Sequence, residues 1–269
     1  MSSNARTRVF AVLGDPVQHS LSPRFQNAAF LVAGIDAVYI ALTVAAPDVA
    51  TVMRTLTANG GGGNVTIPHK QLAATVPGVA MPRVRALGVA NVFATDGNGL
   101  VLGNTDVDGI LAAVDMLGVR SEAWYVVGTG GSARAVAGAA LERGAAIAVR
   151  SRDVTRAAAF RSWAGSIGLG VVEPEGCELV INATPLGLLE SDPLPLAPGE
   201  VSSLRAALDL TYRATGPSRW VMECRSRGLR AIDGREVLLA QGAACWELWF
   251  PGIKPPREVM RAALDGRLD

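Results

Sequence analysis

At 269 residues, with 49% hydrophobic and 18% charged side chains, the chain is long enough for one or two folded domains with a sizeable core. With a formal net charge of +1 at pH 7, nothing suggests a polyanion partner such as nucleic acid. No apolar run is long enough to span a bilayer, and the polar stretch Met1 to Arg8 lacks the apolar core of a signal peptide, so a cytoplasmic protein with no membrane partner is expected.

Elements alternate along the first hundred residues. Val9 to Leu13 reads as a buried strand, and Ser22-Pro23 as a helix start with a capping hydroxyl and an early proline. Ala37 to Val44 is a second strand and Pro47 to Ala58 a helix. Gly60 to Gly63 is expected to break the chain before a short strand, Asn64 to Ile67. Val92 to Ala94 and Leu100 to Leu102 form a hairpin turning at Asp96-Gly97-Asn98-Gly99.

A second unit begins near Asp106. A helix to about Leu117 leads to the strand Ala123 to Val127, the turn Gly128 to Gly131, an alanine-rich helix to Arg143 and a strand Ala145 to Val149. A helix Val154 to Ile167 and the strands Leu179 to Asn182 and Ala206 to Leu210 follow, and Arg235 to Phe250 is helical. Such alternation predicts a parallel, doubly wound sheet.

Gly128-x-Gly130-x-x-Ala133 follows a strand and opens a helix. The glycines permit a tight turn and close approach of a pyrophosphate, and the small third residue lets helix and strand pack. Amides at the helix start then hold the phosphates. Where an NAD site places an acidic residue, this chain has Arg150-Ser151-Arg152, with Arg156 one turn on. Guanidinium groups there suit the 2′-phosphate of NADP, and Asp153 beside them opposes it.

Cys177, Cys224 and Cys245 are far apart, which argues against disulfides or a zinc site and for small buried hydrophobes. His19 and His69 are the only histidines, so catalysis built on several imidazoles is excluded. All but two of the 25 basic residues are arginine; the lysines are Lys70 and Lys254, and the one inside a polar motif is either kept for an ammonium or retained by chance, which this observation alone does not decide. That motif, Asn64-Val65-Thr66-Ile67-Pro68-His69-Lys70, is one of several polar clusters beside apolar strands. The others are Gly14 to Pro23, Gly88 to Asn91 and Gly103 to Asp106. Buried amides and hydroxyls demand partners, and a polyhydroxylated ligand would supply them.

Taken in order, these motifs resemble the shikimate dehydrogenase family along nearly the whole chain. Gly14 to Pro23 looks like that family's substrate-carboxylate loop and Asn64-Val65-Thr66-x-Pro68-x-Lys70 like its catalytic-lysine motif. Ala90-Asn91 and Asn104-Thr105-Asp106 follow. Gly128-x-Gly130-Gly131-x-Ala133-Arg134-Ala135 is similar to its phosphate loop, Asn182-Ala183-Thr184-Pro185-x-Gly187 to its cofactor-side loop, and Leu239-Ala240-Gln241 to its last substrate motif.

The resemblance implies two α/β domains: residues 1–105 plus 235–269 for substrate, a Rossmann-type domain 106–234 for NADP, and the active site in the cleft. It implies that Ser20 and Ser22 hold a carboxylate with Tyr212 nearby in the substrate site, and that Asn64, Thr66, Asn91, Asp106 and Gln241 bind ring hydroxyls. Lys70 and Asp106 would form the catalytic pair, and the metal-free chemistry would be NADPH-dependent reduction of 3-dehydroshikimate to shikimate. The cofactor would lie on Gly128, Thr129, Gly130, Gly131, Ser132 and Ala133, on Arg150, Ser151, Arg152 and Arg156, and on Thr184, Gly234 and Val237. The expected form is a monomer or homodimer with small-molecule partners. Departures from the family are Gln26 in place of a common histidine, Glu236-Val237 in place of Gly-Met, and Ser151-Arg152-Asp153 in place of Asn-Arg-Thr. Quinate and aminoshikimate dehydrogenases share most of these motifs. A non-catalytic ligand sensor is the rival of another class, and the intact Lys70 and Asp106 weigh against it.

Overall fold

A computed structural model describes residues 4–268. In chain order the regular elements begin β1 (Arg8–Gly14), α1 (Ser22–Val32), β2 (Ala37–Thr43), α2 (Val49–Ala58), β3 (Gly62–Val65), α3 (Lys70–Ala73), β4 (Val79–Ala80), α4 (Pro82–Leu87), β5 (Val92–Thr95), β6 (Leu100–Gly103) and α5 (Asp106–Leu117). They continue β7 (Ala123–Val127), α6 (Gly131–Arg143), β8 (Ala146–Arg150), α7 (Val154–Ser166), β9 (Leu179–Asn182), β10 (Ala206–Asp209), α8 (Arg219–Ser226), β11 (Arg230–Ile232), α9 (Arg235–Ala244), α10 (Trp246–Trp249) and α11 (Arg257–Leu264).

The chain divides into two units. One takes the residues up to Thr105 together with those from Leu238 onward, and the other runs from Asp106 to Val237. The second division falls inside α9.

In the first unit a six-stranded sheet has the order β2-β1-β3-β5-β6-β4. β1 pairs in parallel with β2 and β3, while β5 runs antiparallel to β3 and β6. One face buries Ala11, Leu13, Met53, Val65, Phe93 and Leu102. Another core is aromatic: Phe10, Phe30, Trp246, Trp249 and Phe250 meet with ring centroids 5.1–5.8 Å apart in tilted or edge contacts, which favour aromatic packing over face-to-face stacking.

The second unit is the doubly wound sheet, all parallel, in the order β11-β10-β9-β7-β8. Its strands are buried on both faces, as the continuous apolar runs Trp124-Tyr125-Val126-Val127 and Leu179-Val180-Ile181 require.

Three local expectations are corrected. Gly62 and Gly63 belong to β3 instead of breaking the chain, because a Cβ on Gly63 would lie 2.0 Å from the Ala11 carbonyl oxygen; only glycine lets the strands come so close. Ser22 does not cap α1: it is the first helical residue, and the hydroxyl of Ser20 instead accepts the Ser22 N–H at 3.3 Å. The helix expected from Arg235 to Phe250 is broken at Cys245 into α9 and α10.

Candidate active site

In the first unit the chain leaves β1 toward β2 on one side and returns as β3 on the other. The carboxyl ends of β1 and β3 thus flank a switch point, where open α/β sheets form their binding crevices. The loops that carry Ser20, Ser22, Thr66 and Lys70 leave from there. They are joined by the Thr66 N–H on the Leu13 carbonyl at 2.8 Å and the Asp15 N–H on the Ile67 carbonyl at 3.2 Å.

Asn64 lies one residue before the end of β3, 6% exposed, with both polar atoms of its side chain engaged. Its Oδ1 accepts from the Tyr39 hydroxyl at 2.7 Å; its Nδ2 donates to the Asn91 carbonyl at 3.0 Å and to Cys245 Sγ at 3.2 Å. The Asn91 side chain accepts the Thr105 N–H at 2.7 Å and donates to Thr105 Oγ1 at 3.1 Å and Gln241 Oε1 at 3.2 Å. The structure thus brings Asn64, Asn91 and Gln241 into one buried network. Asp106 follows Thr105 directly and opens α5 in the second unit.

Lys70 heads α3 and is half-buried. Its carbonyl accepts the Ala90 N–H at 2.9 Å, which ties the lysine segment to Ala90-Asn91. The preceding His69 is buried, and its Nε2 donates to the Val44 carbonyl at 2.7 Å. Thr66 is partly buried beside it.

In the second unit the switch point lies between β7 and β9. Gly128 follows β7 with φ +119°, a conformation that side chains rarely adopt, and a Cβ there would approach the Ala183 carbonyl oxygen to 2.8 Å. Gly130 is the N-cap of α6 and no side chain caps that helix, so the amides of Gly131, Ser132 and Ala133 form an anion-binding end. Ala133 is fully buried, and nothing lies within 4 Å of a Cβ on Gly130. With Thr129 partly buried beside them, these residues fit a dinucleotide's pyrophosphate.

β8 ends at Arg150, whose guanidinium pairs with Glu200, both side chains being about two-fifths exposed. Arg152 and Arg156 are exposed, and Ser151 Oγ accepts the Asp153 N–H at 3.3 Å. Asp153 caps α7, accepting the N–H groups of Thr155 and Arg156. Three arginines at the end of β8 fit a 2′-phosphate. Arg134, one turn into α6, lies 4.1 Å over the Trp163 ring, and its partial burial lowers its pKa.

On the same unit, Thr184 donates its N–H and hydroxyl to Asn182 Oδ1 at 3.0 and 2.6 Å. Tyr212 is half-buried after β10, Gly234 is buried against the Leu210 and Thr211 carbonyls, and Val237 is 8% exposed.

Sequence reasoning gave no role to Tyr39, His69, Gln26, Cys245, Glu200 or Asp209. Gln26 is fully buried: its Nε2 donates to the Gly242 carbonyl and its Oε1 accepts the Trp246 indole N–H, both at 2.9 Å. Cys245 behaves as more than a small hydrophobe, since it touches Asn64 and Thr105 and donates to the Gln241 carbonyl at 3.1 Å. Only its place four residues after Gln241 in a helical pattern could have signalled this.

Two family models match the chain: the shikimate dehydrogenase substrate binding domain over residues 12–93 and the shikimate 5′-dehydrogenase C-terminal domain over residues 234–264. A shikimate dehydrogenase (NADP(+)) of Rubrobacter xylanophilus is 34% identical, covering 98% of this chain and 97% of the relative. One of Maricaulis maris is 36% identical, with 95% of each covered. A shikimate 5-dehydrogenase of Thermus thermophilus, crystallised with NADP(H) and shikimate, superposes with a TM-score of 0.82 at 32% identity, covering 97% of this chain and all of that one.

Proposed function

Because the chain belongs to the shikimate dehydrogenase family, we infer that it is an NADP-dependent oxidoreductase interconverting 3-dehydroshikimate and shikimate, in the synthesis of chorismate and aromatic amino acids. The observation that carries this is the end-to-end likeness to NADP-dependent shikimate dehydrogenases, together with a glycine turn and an arginine cluster that fit NADP on the second unit.

When bound, the nicotinamide supplies the hydride. The Lys70 ammonium stabilises the negative charge that grows on the carbonyl oxygen and delivers the proton that makes it a hydroxyl. Asp106 accepts from the substrate hydroxyl and orients it. Ser20, Ser22 and Tyr212 hold the carboxylate, and Asn64, Thr66, Asn91 and Gln241 the ring hydroxyls. The network around Asn91 fixes these amides before substrate arrives, so little ordering remains for binding.

Residues 1–105 with 235–269 form the substrate domain in this proposal, and 106–234 the cofactor domain. The enzyme is a cytoplasmic monomer or homodimer acting on small molecules. Three free cysteines suit a reducing compartment. The deciding assay offers shikimate, quinate and aminoshikimate, each with NADP and with NAD. Turnover concentrated in shikimate with NADP is expected. Faster oxidation of quinate, or no turnover with any pair, would overturn the assignment.

A further inference from the structure

At the carboxyl end of β10 the carboxylate of Asp209 is fully shielded from solvent. Its Oδ1 accepts from Asn182 Nδ2 at 2.8 Å, from the Thr211 N–H at 3.0 Å and from the Thr211 hydroxyl at 2.8 Å. Its Oδ2 accepts the Ser218 hydroxyl at 2.5 Å. Burial raises its pKa, and these hydrogen bonds oppose the rise. The Asn182 amide and the Thr211 N–H can only donate, and the two hydroxyls donate in this arrangement, so the carboxylate satisfies all four.

Two of these partners, Asn182 and Thr211, border residues proposed above to hold ligand. Asn182 turns its own Oδ1 to Thr184 and also donates to the Leu186 carbonyl at 2.8 Å. The Thr211 carbonyl accepts the Gly234 N–H at 2.9 Å, and Tyr212 is the next residue. Ser218 caps α8. A buried, fully engaged carboxylate rigidifies what it joins, because moving any one partner strands a polar group.

We propose that Asp209 is a positioning residue: one buried carboxylate fixes the Asn182–Gly187 loop, the Thr211–Tyr212 segment and the Gly234 turn in register, and so sets the productive seating of the nicotinamide cofactor. This rests on the reading of the chain as an NADP-dependent dehydrogenase.

The test compares Asp209→Ala with Asp209→Asn. Binding of NADPH is followed by its fluorescence, binding of adenosine 2′,5′-bisphosphate by competition, and kcat with shikimate and NADP alongside. In Asp209→Ala, NADPH affinity falls about tenfold and kcat drops, while the bisphosphate binds as in the wild type, because the glycine turn and arginines are unchanged. Asp209→Asn regains most of the loss, since its oxygen can keep the three donors on Oδ1 and its amide can face the Ser218 hydroxyl. Wild-type NADPH affinity in a folded Asp209→Ala chain would overturn the proposal. So would equal losses for the fragment and the whole cofactor, or an Asp209→Asn chain no better than Asp209→Ala. If Asp209→Ala does not fold, Thr211→Val decides: it removes one donor and keeps the side-chain shape, and it must weaken NADPH binding about threefold with the fragment unaffected. Failure of the functional reading shows separately, as a wild-type chain that turns over no shikimate; the binding comparison still decides the role of Asp209.

Discussion

The Asp153 carboxylate accepts the backbone N–H of Arg156 at 3.1 Å, and with it the N–H of Thr155 at 2.9 Å. The acidic side chain adjacent in sequence to these arginines is thereby turned into its own helix start. It serves as an N-cap and favours the positive end of the α7 dipole. This removes the main objection to a 2′-phosphate at Arg150, Arg152 and Arg156. Arg152→Ala is expected to raise the Michaelis constant for NADP tenfold or more, from the loss of about 1.5–3 kcal/mol of charge-assisted hydrogen bonding, and to leave that for NAD nearly unchanged. Asp153→Ala should cost about 1 kcal/mol of stability and leave cofactor preference in place. Steady-state kinetics with both cofactors checks the pair; equal losses for NADP and NAD would refute it.

Glu200 bears on the same cluster. It engages Arg150, a cation the phosphate would otherwise use, and both side chains are partly solvated. An exposed pair of this kind is worth about 0–1 kcal/mol, so its removal should act weakly and through charge. Glu200→Gln is expected to lower the Michaelis constant for NADP about two- to fivefold at low ionic strength, with the gain vanishing at high salt. A salt-independent effect, or a rise, would exclude competition for Arg150.

The difference between Asp153 and Glu200 illustrates what is legible in a sequence. Asp153 sits next to its arginines, so its conflict and its escape as a cap are both local. The strand Ala123 to Val127, the turn at Gly128 and the hairpin at Asp96 to Gly99 are legible for the same reason: each is specified within a few residues. Glu200 meets Arg150 across 50 residues of chain, and no local pattern announces it. Gly62 and Gly63 look like breakers until the neighbouring backbones are placed beside them. Motif order nominated the polar residues, but not that Asn64, Asn91, Thr105 and Gln241 share one network through Cys245.

Gln26 occupies a position where the family commonly has histidine. Its amide donates to Gly242 and accepts from Trp246, so it joins α1 to the end of α9, beside Gln241. A neutral imidazole can also donate at one nitrogen and accept at the other. Gln26→His should therefore be tolerated, whereas Gln26→Leu leaves the buried indole N–H without an acceptor and costs about 1–3 kcal/mol. Chemical denaturation measures this directly. Equal stabilities for the two variants would show that shape alone matters there.

Burial raises the thiols of Cys177, to about 11, and Cys224, to about 12, from a starting value of 9.0. The thiolate is the reactive form, so neither side chain should be alkylated by iodoacetamide at pH 8 in the native protein, and both should react once unfolded. Folding favours the protonated thiols. Their contribution to stability is therefore fully present below pH 9.0 and is lost as pH rises through about 11 and 12. Peptide mapping of native samples would expose the error if either residue were labelled.

Lys70 is where the catalytic assignment can fail most clearly. It stands half-buried at the head of α3, held by its carbonyl to Ala90 and by the buried His69 before it, so the backbone should keep its place when the side chain changes. Lys70→Met keeps the length and most of the apolar volume but loses the ammonium. It should fold, retain much of its shikimate affinity and lose about 10²–10⁴-fold in kcat, the usual contribution of a positioned general acid. Lys70→Arg separates two roles the ammonium could have. A guanidinium supplies positive charge but does not give up a proton in proteins. If charge alone were required, arginine would restore a good part of the rate; if proton delivery is required, arginine stays close to methionine. Proton delivery is expected, because hydride transfer to a ketone is complete only when its oxygen becomes a hydroxyl. Wild-type turnover in Lys70→Met would remove Lys70 from the chemistry altogether, and strong rescue by arginine would reduce it to an electrostatic partner.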